Sequence, residues 1–248
     1  MLQKEMISPT PEYALVTGAS RGIGRAIAEG LAKEGYNLFL TCLRHTEQLT
    51  ELANQLTSKY PVTCKAITAD MGNPDDVGRL FAQINSLSVL VNNAGVSYVG
   101  LLHEMSVDDW QHVMRTNLDA LFHTCRHAIP LMLQNHQGKI INISSVWGNV
   151  GASMETAYSA SKGGVNSFTK ALAKELAPSG IQVNAIACGM INTDMNSCFS
   201  AEDIEAIREE IPSDRIGQPQ EVAQMVLSLL HSPEYLTGQV ITLDGGWT

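Results

Sequence analysis

The stretch YALVTGASRGIGRAIAEGLAKEG, Tyr13 to Gly35, decides the fold. It begins with the apolar run YALVT, which reads as a buried strand. The turn TGASRGIG follows with no spacer, bearing Gly18, Gly22 and Gly24. The turn opens an amphipathic helix, and Gly35 is placed to stop it. A glycine-rich turn at a helix N-terminus exposes backbone N–H groups, and those suit a pyrophosphate. The spacing is G-x-x-x-G-x-G rather than the commoner G-x-G-x-x-G. A turn of this kind also occurs as plain architecture; its place directly after the first strand favours the phosphate reading.

The same alternation continues along the chain. NLFLTC, VTCKAITAD, VLVNNAG, KIINISS, IQVNAIA and GQVITLDGG read as strands. Helical patterns lie between them, one with Asn73 as N-cap and Pro74 in its first turn. One helix is expected from about Ser106 to Gln134, with a kink at Pro130. Another, ETAYSASKGGVNSFTKALAKELAP, ends at Pro178 and Gly180. Strand, helix, strand in repetition predicts an α/β fold: a mainly parallel, doubly wound sheet of about seven strands with helices on both faces. Residues 1–12 form an N-terminal extension, and 13–248 form one domain. The irregular segment at about 189–215 is expected to cover the substrate.

Composition narrows the function classes. The chain has 248 residues and a formal net charge of −9, so it carries no basic footprint for nucleic acid or an anionic membrane. No apolar run approaches the roughly eighteen residues of a membrane helix. The five cysteines, Cys42, Cys64, Cys125, Cys188 and Cys198, are odd in number and lack C-x-x-C spacing. Reduced thiols in a cytoplasmic protein are the plain reading. His123 and His127, four apart around Cys125, have no carboxylate at metal-ligand spacing, so surface or interface histidines are expected and no metal site. The acid-rich SAEDIEAIREE reads as a solvated lid helix. Trp110, Trp147 and Trp247 look too scattered for a binding box.

Two stretches point to chemistry. In a dinucleotide fold an acid about twenty residues past the glycines binds the ribose 2′-hydroxyl of NAD. Here LTCLRH offers Cys42 and Leu43 and no acid, while Arg44 stands beside them and Arg21 lies in the glycine turn. Two cations without a carboxylate suit a 2′-phosphate, hence NADP(H), although both would also serve as solvated surface charges. In TAYSASKGG, Tyr158 and Lys162 are four apart and share a helix face. A phenol of pKa about 10 is a poor acid near neutrality, and a neighbouring ammonium is expected to lower it. Ser144 and Ser145 end the preceding strand, where a hydroxyl would hold a substrate carbonyl. Y-x-x-x-K alone is more often a buried tyrosine with a surface lysine.

The ordered set is more specific: TGASRGIG, NNAG from Asn92 to Gly95, Asn117 in MRTNLDA, the serine pair before Y-x-x-x-K, and LTGQVITLDGG. Over essentially the whole chain from Tyr13 this resembles the short-chain dehydrogenase/reductase family, with its Rossmann-type fold. RIGQPQEVA and the ending DGGW look like its branch of bacterial 3-oxoacyl-acyl-carrier-protein reductases of fatty acid biosynthesis. The resemblance implies a catalytic set of Asn117, Ser145, Tyr158 and Lys162. Tyr158 would be the acid, Ser145 would orient the carbonyl, Lys162 would bind the ribose, and Asn117 would hold a water linked to the lysine. It implies cofactor contacts at Gly18, Ser20, Arg21, Gly22, Ile23 and Gly24. Asp70 and Met71 would flank the adenine, and Asn92, Ala94 and Gly95 the nicotinamide side. Ile191 and Thr193 would meet the carboxamide and pyrophosphate. One departure is Cys188-Gly189 where the family has Pro-Gly, which puts Cys188 near the nicotinamide and loosens the start of the substrate loop.

The activity implied is NADPH-dependent reduction of a carbonyl, foremost a 3-oxoacyl thioester, by a homotetramer. An alcohol, sugar or ketone dehydrogenase is the alternative, and a non-catalytic NADP-binding regulator a further one. Carrier-protein reductases place arginines where this chain has His136 and Ser179, so docking of an acidic acyl carrier protein is in doubt, with Lys139 a partial substitute.

Overall fold

A computed structural model describes residues 12–197 and 199–248. Residues 1–11 of the expected extension and the Cys198 thiol lie outside the described residues. The first strand, β1 (Tyr13–Val16), leads into α1 (Gly22–Lys33), and β2 (Asn37–Cys42) into α2 (Thr46–Lys59). Next come β3 (Cys64–Thr68), α3 (Pro74–Phe81) and β4 (Val89–Asn92). The chain continues through α4 (Val107–Met114), α5 (Ala120–Gln134), β5 (Gly138–Ser145), α6 (Trp147–Val150) and α7 (Thr156–Leu176). It ends with β6 (Ile181–Cys188), α8 (Ala201–Glu210), α9 (Pro219–Leu230) and β7 (Val240–Leu243). The strands form one sheet in the order β3-β2-β1-β4-β5-β6-β7, and every pairing is parallel.

Strand periodicity splits the core in two. Successive residues of a strand point to opposite faces. Ala14 and Val16 therefore pack with Leu31, Leu49 and Val226 of α1, α2 and α9 on one face. Leu15 packs with Leu80, Met132 and Leu172 of α3, α5 and α7 on the other. A strand covered on both faces shows no alternation, and every residue of β6 is buried. Each large apolar side chain closed off in this way contributes about 1.5–3 kcal/mol.

The helix ends follow local chemistry. Asn73 Oδ1 accepts from the N–H groups of Asp75 and Asp76 at 2.9 and 3.3 Å, with Pro74 in the first turn. Gly35 (φ +93°) follows α1, and Gly180 (φ +74°) follows the short turn after α7. The expected helix from Ser106 to Gln134 is where the structure differs. A π turn, Arg115–Asp119, interrupts it between α4 and α5, while α5 runs through Pro130 to Gln134. The irregularity sits on Asn117, whose side chain is taken up by tertiary hydrogen bonds; π turns of this kind collect at functional sites.

Candidate active site

The strand order reverses between β1 and β4, and a crevice opens beyond their carboxyl ends. The two loops there are tied together. Thr17 Oγ1 accepts from the N–H groups of Asn93 and Ala94, both at 3.0 Å. Asn93 Nδ2 donates to the carbonyls of Thr17 (2.9 Å) and Gly18 (3.0 Å). Gly18 takes φ +65°, and a Cβ on Gly24 would lie 2.2 Å from Gly18 O, so neither position accepts a side chain. Asn93 joins the expected Asn92, Ala94 and Gly95 at this edge, and nothing in the sequence distinguishes it from Asn92. The Asn92 side chain turns inward, donating to Asn142 Oδ1 at 2.9 Å and accepting from Thr124 Oγ1 at 2.7 Å. Adjacent strand residues face opposite ways, so one asparagine of the pair faces the cleft, and the sequence does not say which.

The start of α1 carries no side-chain cap and no acid in its first turn. By contrast, α3, α4 and α8 are capped by Asn73, Ser106 and Ser200 and have acids there. The free N–H groups around Gly22, Ile23 and Gly24, beside buried Ser20, thus fit an anion such as a pyrophosphate. A Cβ on Gly22 would lie 3.3 Å from Thr193 Cγ2, which sets Thr193 against this turn. Arg21 is less free than its sequence suggests, because its Nη1 pairs with Asp194 Oδ2 at 3.1 Å. Arg44, exposed just past β2, forms no ion pair with any described residue. After β3, Asp70 Oδ1 accepts from Gly72 N at 2.8 Å and Met71 is buried, which shapes the neighbouring turn.

The helix α7 brings Tyr158 and Lys162 to the ends of β5 and β6. Lys162 is buried, and its Nζ donates to Ile143 O at 2.8 Å and lies 5.6 Å from the centre of the Tyr158 ring. The Ser145 hydroxyl, which accepts from Trp147 N at 3.2 Å, neighbours the Tyr158 phenol. Ser144 is committed elsewhere: its Oγ donates to Asn166 Oδ1 at 2.6 Å. Asn117 Nδ2 donates to Val96 O (2.9 Å) and Ser161 Oγ (3.0 Å), and its Oδ1 accepts from Val96 N (2.8 Å). A Cβ on Gly95 would sit 3.2 Å from Asn117 Oδ1 and 3.6 Å from Lys162 Nζ, so these three positions converge.

Burial dominates the electrostatics. It pushes Tyr158 above its ordinary value, opposed by the Ser145 hydrogen bond and aided by Cys188 and Glu155. It lowers Lys162 to about 8. It raises Cys188 to about 12, against the pull of Lys162. The phenol is not lowered as expected: desolvation is the largest cause and raises it, because a charged phenolate is the costlier species in a buried site. A phenol held protonated is a proton donor.

The cleft over these groups encloses about 150 Å³. Its lining includes Ile23, Gly95, Ser145, Cys188, Ile191 and Thr193 from the expected set. Cys188 stands beside Ser145 in the sheet register. The missing proline does not free the loop start, since Cys188 O accepts from Val146 N and Gly189 N donates to Leu243 O, both at 2.9 Å. The scattered tryptophans are also corrected. Trp147 and Trp247 meet edge to face, ring centres 4.9 Å apart, and both line the cleft. Trp247 Nε1 donates to Glu210 Oε2 at 3.2 Å, tying the chain end to α8. Met190, Met195, Phe199 and Ile207 of the segment after β6 add an apolar side. Glu155 and Ser97 line the cleft too and carried no signal in the sequence. On α5, His127 stacks on Phe81 with ring centres 5.3 Å apart.

An all-parallel sheet with an anion-ready helix start at its reversal point, and a tyrosine, serine and buried lysine at the same edge, defines a nucleotide-dependent oxidoreductase. Comparison with known proteins agrees. The short chain dehydrogenase family matches residues 12–203, and the chain belongs to that family. It is 39% identical over 236 residues to the uncharacterized oxidoreductase YmfI of Bacillus subtilis, covering 94% of this chain and 98% of that one. It is 40% identical to the 3-oxoacyl-[acyl-carrier-protein] reductase FabG of Aquifex aeolicus, over 95% of this chain and 96% of that one. The Staphylococcus aureus FabG is 42% identical over 94% and 96%. A solved structure from Agrobacterium tumefaciens with a provisional gluconate dehydrogenase name superposes with a TM-score of 0.89 at 33% identity, covering 95% of each chain. The protein is therefore an oxidoreductase, and membership implies a nicotinamide cofactor. Among the described residues no helix is long and apolar enough to cross a membrane.

Proposed function

We propose that the protein reduces a carbonyl with NADPH, foremost a 3-oxoacyl thioester, to the 3-hydroxy compound. The observation that carries this reading is the Tyr158 phenol, kept protonated by burial, beside Ser145 and with the buried Lys162 ammonium 5.6 Å from its ring centre. When bound, the nicotinamide supplies the hydride. Ser145 donates to the carbonyl oxygen and fixes its position. Tyr158 delivers the proton to that oxygen as negative charge develops on it. Lys162 holds the ribose and recharges the phenol, and Asn117 fixes the Val96 backbone in the loop after β4 and a water beside the lysine. Gly18, Ser20, Gly22, Ile23 and Gly24 take the pyrophosphate, Asp70 and Met71 the adenine, and Ala94, Gly95, Ile191 and Thr193 the nicotinamide side. Arg44, without an ion pair among the described residues and beside the acid-free end of β2, favours the 2′-phosphate of NADPH. The apolar wall of Trp147, Trp247 and Met190 suits an acyl flank.

The relatives named 3-oxoacyl-[acyl-carrier-protein] reductase support thioester chemistry, while the gluconate dehydrogenase name supports the alternative of a sugar or alcohol dehydrogenase. Docking of an acidic carrier finds little here. His136 and Ser179 stand where cations would serve, and the Lys139 ammonium is occupied by the carbonyls of Leu230 (2.7 Å), Leu229 and Ser232 at the end of α9. The substitute expected of Lys139 is thereby withdrawn: the charge caps a helix. With a net charge of −9, repulsion slows an acidic partner further. A cytoplasmic homotetramer completes the reading. The test measures NADPH oxidation with acetoacetyl-CoA and with acetoacetyl carrier at several salt concentrations. Tyr158→Phe should lose about 10²–10⁴ in kcat, the usual share of a positioned proton donor, with NADPH still bound. Wild-type turnover by Tyr158→Phe refutes the mechanism, and a strong salt-sensitive advantage for the carrier refutes the docking argument.

A further inference from the structure

Glu155 has no place in the chemistry above, yet it shares the cleft with Tyr158. It is the N-cap residue of α7, but its side chain makes no capping hydrogen bond. Instead it reaches into the cleft wall, where Oε2 accepts from Ser97 Oγ at 2.9 Å and the Trp147 side chain adjoins it. Three elements thus surround one carboxylate beside the phenol: the loop after β4, α6 and α7. Glu155 and Lys162 are the charged side chains among the described residues lining the cleft. Lys162 is buried and donates to Ile143 O, and in the reading above it is taken by the cofactor ribose. Ser97 is spent on Glu155. A substrate carboxylate next to the reacting carbonyl would therefore meet a fixed anion and no free cation, in a site dry enough to strengthen the repulsion. The remaining wall, with Trp147, Trp247 and Phe199, is apolar.

We propose that Glu155 makes the cleft select carbonyl substrates without a negative charge beside the reacting carbon: thioesters, esters and simple ketones, against free oxo acids and aldonates. The proposal rests on the carbonyl-reductase reading and names its substrate class. Like charges brought together at a recognition surface suppress the wrong partner rather than strengthen the right one.

Ethyl acetoacetate and acetoacetate test it, since they share the 3-oxo carbonyl and differ in one charge. Burial raises the Glu155 carboxyl above its ordinary value, against the pull of Ser97, so the comparison is made at about pH 8, where the anion is favoured and wild type should prefer the ester in kcat/KM. Glu155→Gln should shrink the ester-to-acid ratio on the order of tenfold, the effect of removing one like-charge contact. Glu155→Asp, which keeps the charge, should retain most of the ratio. Quenching of Trp147 and Trp247 emission gives the same ratio as Kd values, without turnover. If neither compound is reduced but the binding ratio behaves as stated, the reductase reading fails and the charge rule stands. A wild type that takes acid and ester alike, or a Glu155→Gln ratio unchanged in both readouts, overturns the proposal.

Discussion

Replacing Asn117 by alanine should destabilise the protein far more than its single amide suggests. Its side chain closes three hydrogen bonds: to Val96 N at 2.8 Å, Val96 O at 2.9 Å and Ser161 Oγ at 3.0 Å. Ser161 keeps a second partner, Tyr158 O at 2.7 Å, so it loses little. The Val96 N–H and C=O become orphans, each costing about 1–3 kcal/mol when desolvated. Val96 is only partly buried, so water relieves some of this. The net loss should be about 2–4 kcal/mol. For a chain of this size each kcal/mol moves Tm by about 2–4 °C, which gives a drop of about 4–16 °C. Asn117→Asp separates geometry from volume. One carboxylate oxygen still accepts from Val96 N, but nothing donates to Val96 O, and two oxygens face each other. It should be at least as unstable as the alanine variant. Thermal melts followed by circular dichroism measure both, and kcat should fall with them because Gly95 and Lys162 share this corner. A Tm within about 2 °C of wild type for alanine, or an aspartate variant as stable as asparagine, refutes the reasoning.

Other expectations concern cofactor, charge and assembly. NADPH should be preferred to NADH in kcat/KM, and Arg44→Ala should shrink that preference; equal use of both by wild type rejects the assignment. Burial lowers Lys162 to about 8, so charging it costs stability between that value and its unfolded value. The sign is that of a penalty, present at neutral pH and relieved as pH rises through this window. Lys162→Met should consequently abolish turnover while leaving Tm unchanged or higher, and a large fall in Tm would contradict the burial argument. Light scattering at micromolar concentration should report a tetramer; a monomer would count against the assembly.

Most strands were legible because strands covered on both faces are largely apolar runs, unbroken in YALV and interrupted only by Gln182 and Asn184 in IQVNAIAC. The helix limits were legible where chemistry marks them, at Asn73 and Gly35. What escaped depends on partners distant in sequence. The π turn at Asn117 has its cause in the backbone of Val96, and no local pattern announces it. Trp147 and Trp247 are a hundred positions apart and meet only once β6 and β7 have formed beside β5. Lys139 looked like a surface cation because charge does not reveal that α9 ends against it. Tyr158 and Lys162 were legible as a pair through helical spacing, but the balance of their proton affinities was not, since it rests on burial.

An interior strand of the sheet, β1, is made well before one of its two neighbours. β1 pairs with β2 on one side soon after both leave the ribosome, but its other neighbour, β4, begins only at Val89. At synthesis rates of about 5–20 residues per second the interval lasts several seconds. Throughout it the growing chain exposes the edge of an apolar strand, the geometry that recruits other chains. Overloaded translation lengthens the time many such nascent chains spend side by side, so yield in a host should respond more to slowing synthesis than to added stability of the finished protein.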